Sequence, residues 1–289
     1  MIGIITDTMS EVPKEVVESS KIEVVPSIIL IEDKEYEDRY DKIKEKELLK
    51  KMEKIHIKTS LPTYLSIKKA FNNLIESGVT KILIVTVSSG LSGTFNSFNN
   101  IAKEIRKDNP EVDVELVDSL NVGIGSGLLV YKASEMIKEG FNFEEIVNKI
   151  RELVYEKSKV FFTIPTLKHL KAGGRIGAVS ASIGEIMNIK PIITVGKDGI
   201  YHSLEKVRGM KKAVTRAVEI VKEFCGSEEI DALAVEYVGE KKETKEYIES
   251  VLENLKELNP KKLFFAKLIA PSLVVNTGDG LIGIGVLKK

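Results

Sequence analysis

Three stretches of this sequence bring together residue types that can hold an anion. Thr59-Ser60-Leu61-Pro62 sets two hydroxyls before a proline. Ser88-Ser-Gly-Leu-Ser-Gly-Thr94 carries hydroxyls at Ser88, Ser89, Ser92 and Thr94, and Lys171-Ala-Gly-Gly-Arg175-Ile-Gly177 places an arginine behind two glycines. Hydroxyls and glycine-freed backbone N–H groups donate hydrogen bonds without a formal charge, which suits a carboxylate or a phosphate. A helix expected after Thr94 adds the unpaired N–H groups of its first turn. Ser92 and Thr94 also suit simple turn and N-cap duties. Arg175 fits an anion clamp, an interdomain salt bridge or a partner contact, and Lys190, Lys206 and Arg208 add positive charge.

Other chemistries find less support. The histidines, His56, His169 and His202, are not paired at ligand spacing and Cys225 is the single cysteine. A zinc site with its four organised ligands is therefore not expected, nor is any other metal or cofactor. Gly123-Ile-Gly125-Ser-Gly127 resembles a phosphate loop, but Val130 stands where the dinucleotide fingerprint needs a small residue and no GxxxxGK[ST] accompanies it. Helix packing is the better explanation of those glycines. The Ser88–Gly93 stretch lacks GxSxG, so a serine hydrolase would need a distant partner such as His169 for Ser92. No catalytic residue is assigned.

The 43 Lys plus Arg balance 43 Asp plus Glu, giving a formal net charge of +0. No global field directs the chain to nucleic acid. The opening MIGIITDTMS reads as a strand and polar turn rather than a signal peptide, and eighteen apolar residues never run together. A cytoplasmic protein without a membrane span is expected, and a monomer.

Strands and helices alternate through the first half. Ile2–Thr6, Lys81–Val87 and Val112–Val117 read as strands, and Tyr64–Ile75, Phe95–Arg106, Val122–Lys138 and Phe143–Tyr155 as helices. This predicts βαβ units and a mainly parallel sheet, with Asp7-Thr8, Ser88–Thr94 and Asp118-Ser119 after the carboxyl ends of strands, where ligands of such sheets bind. Pro26 splits Ile22–Ile31, Glu32–Lys44 reads as a loop, and Lys44–Glu53 as a solvated helix. Ser60 and Pro62 suit a helix start. Past Lys159–Ile164 come short helices at Leu167–Gly174 and Ser180–Met187. A strand at Pro191–Val195 leads through a Lys197-Asp-Gly199 turn, and Lys206–Phe224 is expected as one long helix. Ala232–Glu236, Leu263–Lys267 and Leu281–Val286 read as strands and Thr244–Leu258 as a helix. The fold class expected is α/β in two domains: an α/β domain over 1–157 and a smaller α+β domain over 158–289.

The ordered series Thr6-Asp7-Thr8, Thr59-Ser60-Leu61-Pro62, Ser88–Thr94, Asp118-Ser119, Gly123-x-Gly125, Leu170–Gly177, Asn188-Ile-Lys-Pro191 and Lys206-x-Arg208 resembles the DegV family of bacterial fatty-acid-binding proteins along essentially the whole chain. The resemblance implies one long-chain fatty acid bound without a covalent bond in a tunnel between or beside two domains. It assigns the carboxylate to Thr59, Ser60 and Ser92, with the Gly93 backbone nearby. It also implies presentation of the acid to a separate fatty acid kinase, with Arg175 in partner or phosphate contact. One departure stands out: the family's His-x-Gly-Pro-Gly reads Asn276-Thr-Gly-Asp-Gly280 here. Asn276 takes the carboxylate-site position of the histidine and cannot carry a proton through neutral pH. Thr8 replaces the usual serine and Leu61 the usual glutamine. The competing expectations are a Ser92-dependent acyl hydrolase and a lipid-sensing regulatory module without kinase coupling.

Overall fold

The computed structural model describes residues 1–182, 188–266 and 269–289. Strand β1 (Ile2–Asp7) runs into a tight 3-10 turn (Thr8–Ser10), helix α1 (Lys14–Glu18) and β2 (Ile22–Val25). Pro26 ends β2 and the chain leaves that sheet. Strands β3 (Ile28–Ile31) and β4 (Lys34–Glu37) form a hairpin, helix α2 (Glu45–Met52) follows, and β5 (Lys58–Ser60) pairs back on β3. Helix α3 (Tyr64–Glu76), β6 (Lys81–Thr86), α4 (Thr94–Asp108) and β7 (Asp113–Asp118) return to the first sheet.

That sheet is parallel, in the order β2-β1-β6-β7. Its strands are apolar on both faces because helices cover both. Along β6 the period of two is visible: Ile82 and Ile84 pack with Phe71 and Phe98 from α3 and α4, whereas Leu83 and Val85 face the opposite side. Helices α5 (Ile124–Lys138) and α6 (Phe143–Glu156) cover that opposite side. Helix α6 begins with a capping box between Asn142 and Glu145. Because β2 lies on one side of β1 and β6 on the other, the winding reverses between β1 and β6. The loops leaving those two carboxyl ends diverge and open a crevice.

The second sheet has the order β10-β9-β8-β13-β11-β12. It is built from β8 (Ser158–Thr163), β9 (Ile189–Val195), β10 (Tyr201–Arg208), β11 (Ile230–Tyr237), β12 (Lys262–Ala266) and β13 (Ile282–Lys288), with only the β11–β12 pair parallel. Helices α8 (Met210–Cys225) and α9 (Lys242–Lys256) bury one face. The other face is shared between α5 and a core holding Val160, Phe162 and Ile193. To that core the small β4-β3-β5 sheet contributes Ile29 and Ile31, helix α7 (Lys168–Ala172) Leu170, and α10 (Pro271–Thr277) Leu273 and Val274.

Helix α5 therefore lies between two sheets, and its glycines explain how. A Cβ at Gly127 would sit 2.4 Å from the Ser10 carbonyl oxygen, and one at Gly125 would sit 2.9 Å from Val160 Cβ. The Gly123–Gly127 run is a close-packing surface, as expected. In place of a phosphate, the Ile124 N–H at the start of α5 donates to Glu236 at 3.0 Å.

Several boundaries differ from the sequence reading. Lys206–Arg208 do not begin a helix; they extend β10, paired with Ile189–Pro191, and Gly209 at φ 87° turns the chain into α8. Lys34–Glu37 form a strand rather than a loop. Ser60 ends β5, and the N-cap of α3 is Thr63, whose side chain accepts from Ser66 N–H at 3.1 Å. Gly177–Ser182 is a 3-10 turn. Residues 183–187 of the expected Ser180–Met187 helix, and Lys267 of the expected Leu263–Lys267 strand, lie outside the described residues.

Candidate functional site

The crevice between β1 and β6 is organised first by Asp7. Its carboxyl group accepts the Val87 N–H at 2.8 Å and the Met9 N–H at 3.0 Å, tying together the ends of both strands. The chain after β6 then turns through Ser88–Gly93, with Leu91 and Ser92 N–H groups donating to the Ser88 carbonyl at 3.0 and 3.1 Å. Ser88 Oγ donates to the Gly199 carbonyl at 2.7 Å. Gly90 is required there, because a Cβ would stand 2.6 Å from that same oxygen. The hydroxyl loop is thus clamped to the β9–β10 turn of the second sheet. Ser92 Oγ pairs with Thr94 Oγ1 at 2.8 Å, and Gly93 occupies the N-cap of α4.

Against this loop lies a cavity of about 190 Å³ lined by Thr59, Ser60, Ser92 and Asn276, together with Met9, Ser27, Leu61, Val87, Leu91, Val122, Arg175, Tyr201 and Leu273. A second cavity of about 430 Å³ shares Thr59, Arg175 and Asn276 with it and continues along the 52–58 segment, α7 and Val275. Thr59, Arg175 and Asn276 therefore stand where the two cavities meet, and Ser92 lines the smaller one alone. Thr59 arrives on β5 opposite Ile29, Asn276 on the last turn of α10, and Ser92 from the loop after β6. Gly93 lines neither cavity, although a notional Cβ on it would stand 3.4 Å from Leu61 of the smaller one. Arg175 is aimed by its glycines: Nε donates to the Leu91 carbonyl at 3.3 Å and Nη1 to the Gly173 carbonyl at 2.6 Å. Asp279 turns away from the site and pairs with Lys241 at 2.7 Å.

Charge in this region favours an anion. Arg175, Lys54, Lys58 and Lys168 line the larger cavity, with Glu53 as the acidic exception. Asp7, Asp38 and Glu236 are buried acids of the surrounding core, and Glu11 is a partly buried one. Burial pushes Asp7 and Glu236 up to about 7, Glu11 well above its ordinary range, and Asp38 upward. Acids held toward the neutral form repel an incoming carboxylate less. His169, on the larger cavity, is held below its ordinary value by burial and by Lys168, so near pH 7 it is a neutral imidazole. Ser92 Oγ is hydrogen-bonded to Thr94, and His169 lines the larger cavity.

Asn276 is positioned through a chain of buried contacts. Its Nδ2 donates to the Ser272 carbonyl at 2.7 Å. Ser272 in turn donates to Asp38 through its N–H at 2.8 Å and its Oγ at 2.5 Å, and Thr8 Oγ1 donates to the same carboxyl at 2.6 Å. The Ala270 N–H donates to Glu11. Sequence reasoning identified neither Asp38 nor α10, because both owe their roles to contacts more than two hundred residues apart. It also missed Ser27, although a hydroxyl inside the apolar run Val24–Ile31 was a visible signal. Among the described residues no group of three or more His, Cys, Asp or Glu is arranged to hold a metal, and no helix is long and apolar enough to cross a membrane.

Comparison with known proteins agrees with this architecture. The model of the DegV family matches residues 1–289, and the chain belongs to that family. A DegV domain-containing protein of Clostridium acetobutylicum is 36% identical over 288 residues, covering 100% of this chain and 99% of the relative. Among solved structures, a DegV family protein from Thermus thermophilus, described for its fatty acid binding, superposes with a TM-score of 0.89 at 25% identity, covering 100% of this chain and 99% of its own. A fatty-acid-binding DegV family protein from Streptococcus agalactiae gives 0.86 at 27% identity with the same coverage.

Proposed function

We propose that this protein binds one long-chain fatty acid without a covalent bond and acts as its carrier. The acid's carboxylate is held by Thr59, Ser60, Ser92 and Asn276, with the Gly93 backbone behind them. The observation that carries this reading is the convergence of those four residues, from three distant segments, on one cavity of about 190 Å³. The descriptions of the Thermus and Streptococcus relatives as fatty-acid-binding support it.

The energetics are consistent with that role. Neutral hydroxyls hold an anionic head only when several bonds form together, since a single donor does not offset desolvation. Each methylene buried adds ~0.8 kcal/mol, so the acyl chain supplies most of the affinity and the hydroxyls select the head group. In this reading the protein presents the acid to a separate fatty acid kinase, and Arg175, at the junction of the two cavities, meets the phosphate or the partner. Both domains take part, 1–157 through the hydroxyl loops and 158–289 through the Gly-Gly-Arg loop.

Native mass spectrometry of delipidated protein offered hexadecanoic acid tests the carrier reading. One acid per chain is expected, and a mass unchanged by the acid would overturn it. Ser92→Ala should release the acid about tenfold faster, the cost of one charge-assisted bond. Arg175→Ala should retain the acid yet accept phosphate from the kinase at least about tenfold more slowly. Equal losses of loading and phosphorylation in that variant would sink the assignment of Arg175.

A further inference from the structure

Ser27 has a polar group that its surroundings do not use. Ser27 directly precedes β3, and the Asp38 N–H bond to its carbonyl continues the β3–β4 pairing by one step. By the alternation of side chains Ser27 shares the face of Ile29 and Ile31, both in the core. Thr59 lies directly opposite Ile29 and faces the same way. The main chain at Ser27 is fixed on both sides: its N–H donates to Thr8 Oγ1 at 3.3 Å, and its carbonyl accepts the Asp38 N–H at 2.8 Å. The residue is 1% exposed, and its Oγ has no hydrogen-bond partner among the described residues. It lines the same cavity as Thr59, Ser60, Ser92 and Asn276, whose apolar lining includes Met9, Val87, Leu91 and Leu273.

Buried hydroxyls without a partner are uncommon, and an alanine or valine would suit this apolar wall better. We propose that Ser27 Oγ is a further head-group contact, donating a hydrogen bond to the carboxylate of the bound acid and helping the site select an ionised head over a neutral one. This rests on the fatty-acid reading above. A donor that stays unpaired until the ligand arrives keeps its full bonding capacity for it, and the pinned backbone means no rearrangement is needed to present it. A carboxylate accepts such a bond more strongly than an alcohol does, so the hydroxyl contributes to discrimination as well as to affinity.

The experiment compares delipidated parent and Ser27→Ala protein, each titrated with hexadecanoic acid and with 1-hexadecanol. Ser27→Ala should weaken hexadecanoic acid about tenfold or more while changing 1-hexadecanol less than about threefold. Without ligand, its melting temperature should equal or exceed that of the parent, since an unsatisfied buried hydroxyl has been removed. Unchanged acid affinity would overturn the proposal, and so would equal losses for acid and alcohol, which would mean a packing effect. Failure of the parent protein to bind the acid is a separate outcome. It would remove the fatty-acid reading itself and this contact with it.

Discussion

Replacing Asp38 with Ala should lower the unfolding free energy by about 3 kcal/mol and loosen ligand retention, although Asp38 does not line the smaller cavity. Three donors would lose their acceptor: Ser272 N–H, Ser272 Oγ and Thr8 Oγ1, all within 2.8 Å of the carboxyl. Orphaned buried donors cost ~1–3 kcal/mol each, partly recovered by relaxation. The mechanical consequence follows from α10, which is only seven residues long and carries Asn276 at its far end. A helix this short draws its stability from tertiary contacts rather than from its own hydrogen bonds. Amide hydrogen exchange should therefore accelerate over residues 271–277 before it does in β6, and bound acid should dissociate faster. Urea unfolding within about 1 kcal/mol of the parent, with exchange over α10 unchanged, would show that Asp38 is not the latch.

Glu236→Gln should reverse its effect on stability with pH. The carboxyl lies inside the second sheet with one bond, from the Ile124 N–H, and burial lifts its pKa from 4.5 to about 7 despite that bond. Below pH 4.5 both folded and unfolded chains hold the proton, and ionisation costs nothing. Between 4.5 and 7 only the folded chain holds it, so stability falls as pH rises. Above 7 the full cost, about 3 kcal/mol, is in place. A glutamine keeps an acceptor for Ile124 but adds an NH₂ with little room beside Gly123 and Gly283, whose notional Cβ atoms stand 2.6 and 2.8 Å from Glu236 Oε1. The variant should be less stable than the parent at pH 4.5 and about 2 kcal/mol more stable at pH 8.5. Asp7, raised in the same direction, leaves a residual slope in both proteins. Parallel stability curves for the two proteins would refute the assignment.

What the sequence made legible was local. Strand β6 and helix α4 were readable because a continuous apolar run, a Gly/Ser turn and a helical period follow one another without interruption, and both faces of the parallel sheet are buried. Lys206–Arg208 misled because a strand that alternates Glu205, Lys206 and Val207 joins directly to an amphipathic helix, and only Gly209 marks the corner. Helix α10 was invisible for a different reason. Pro271-Ser-Leu-Val-Val-Asn-Thr277 has β-branched residues and no helical period, and its first turn is held by Asp38 and Glu11 from the opposite end of the chain. At the site, residue types gave the chemistry of Thr59, Ser60, Ser92 and Asn276. Their meeting around one cavity depends on the reversal between β1 and β6 and on α10, neither of which is written locally.

The place of β13 also shapes the protein's history on the ribosome. It is the last of the six described strands of its sheet to be made, yet it pairs with β8 through Ile282↔Thr163 to Leu287↔Ser158 and with β11 on its other edge. Until it emerges, those two neighbours cannot be joined, and the flank of α5 that will rest on Gly285 has nothing to rest on. The first sheet is finished with Asp118, so at ~5–20 residues per second its helices wait roughly 10 to 30 s for that cover. A nascent chain of this kind exposes an apolar helix face for that interval, which makes it a natural client for chaperones that recognise exposed hydrophobic surface.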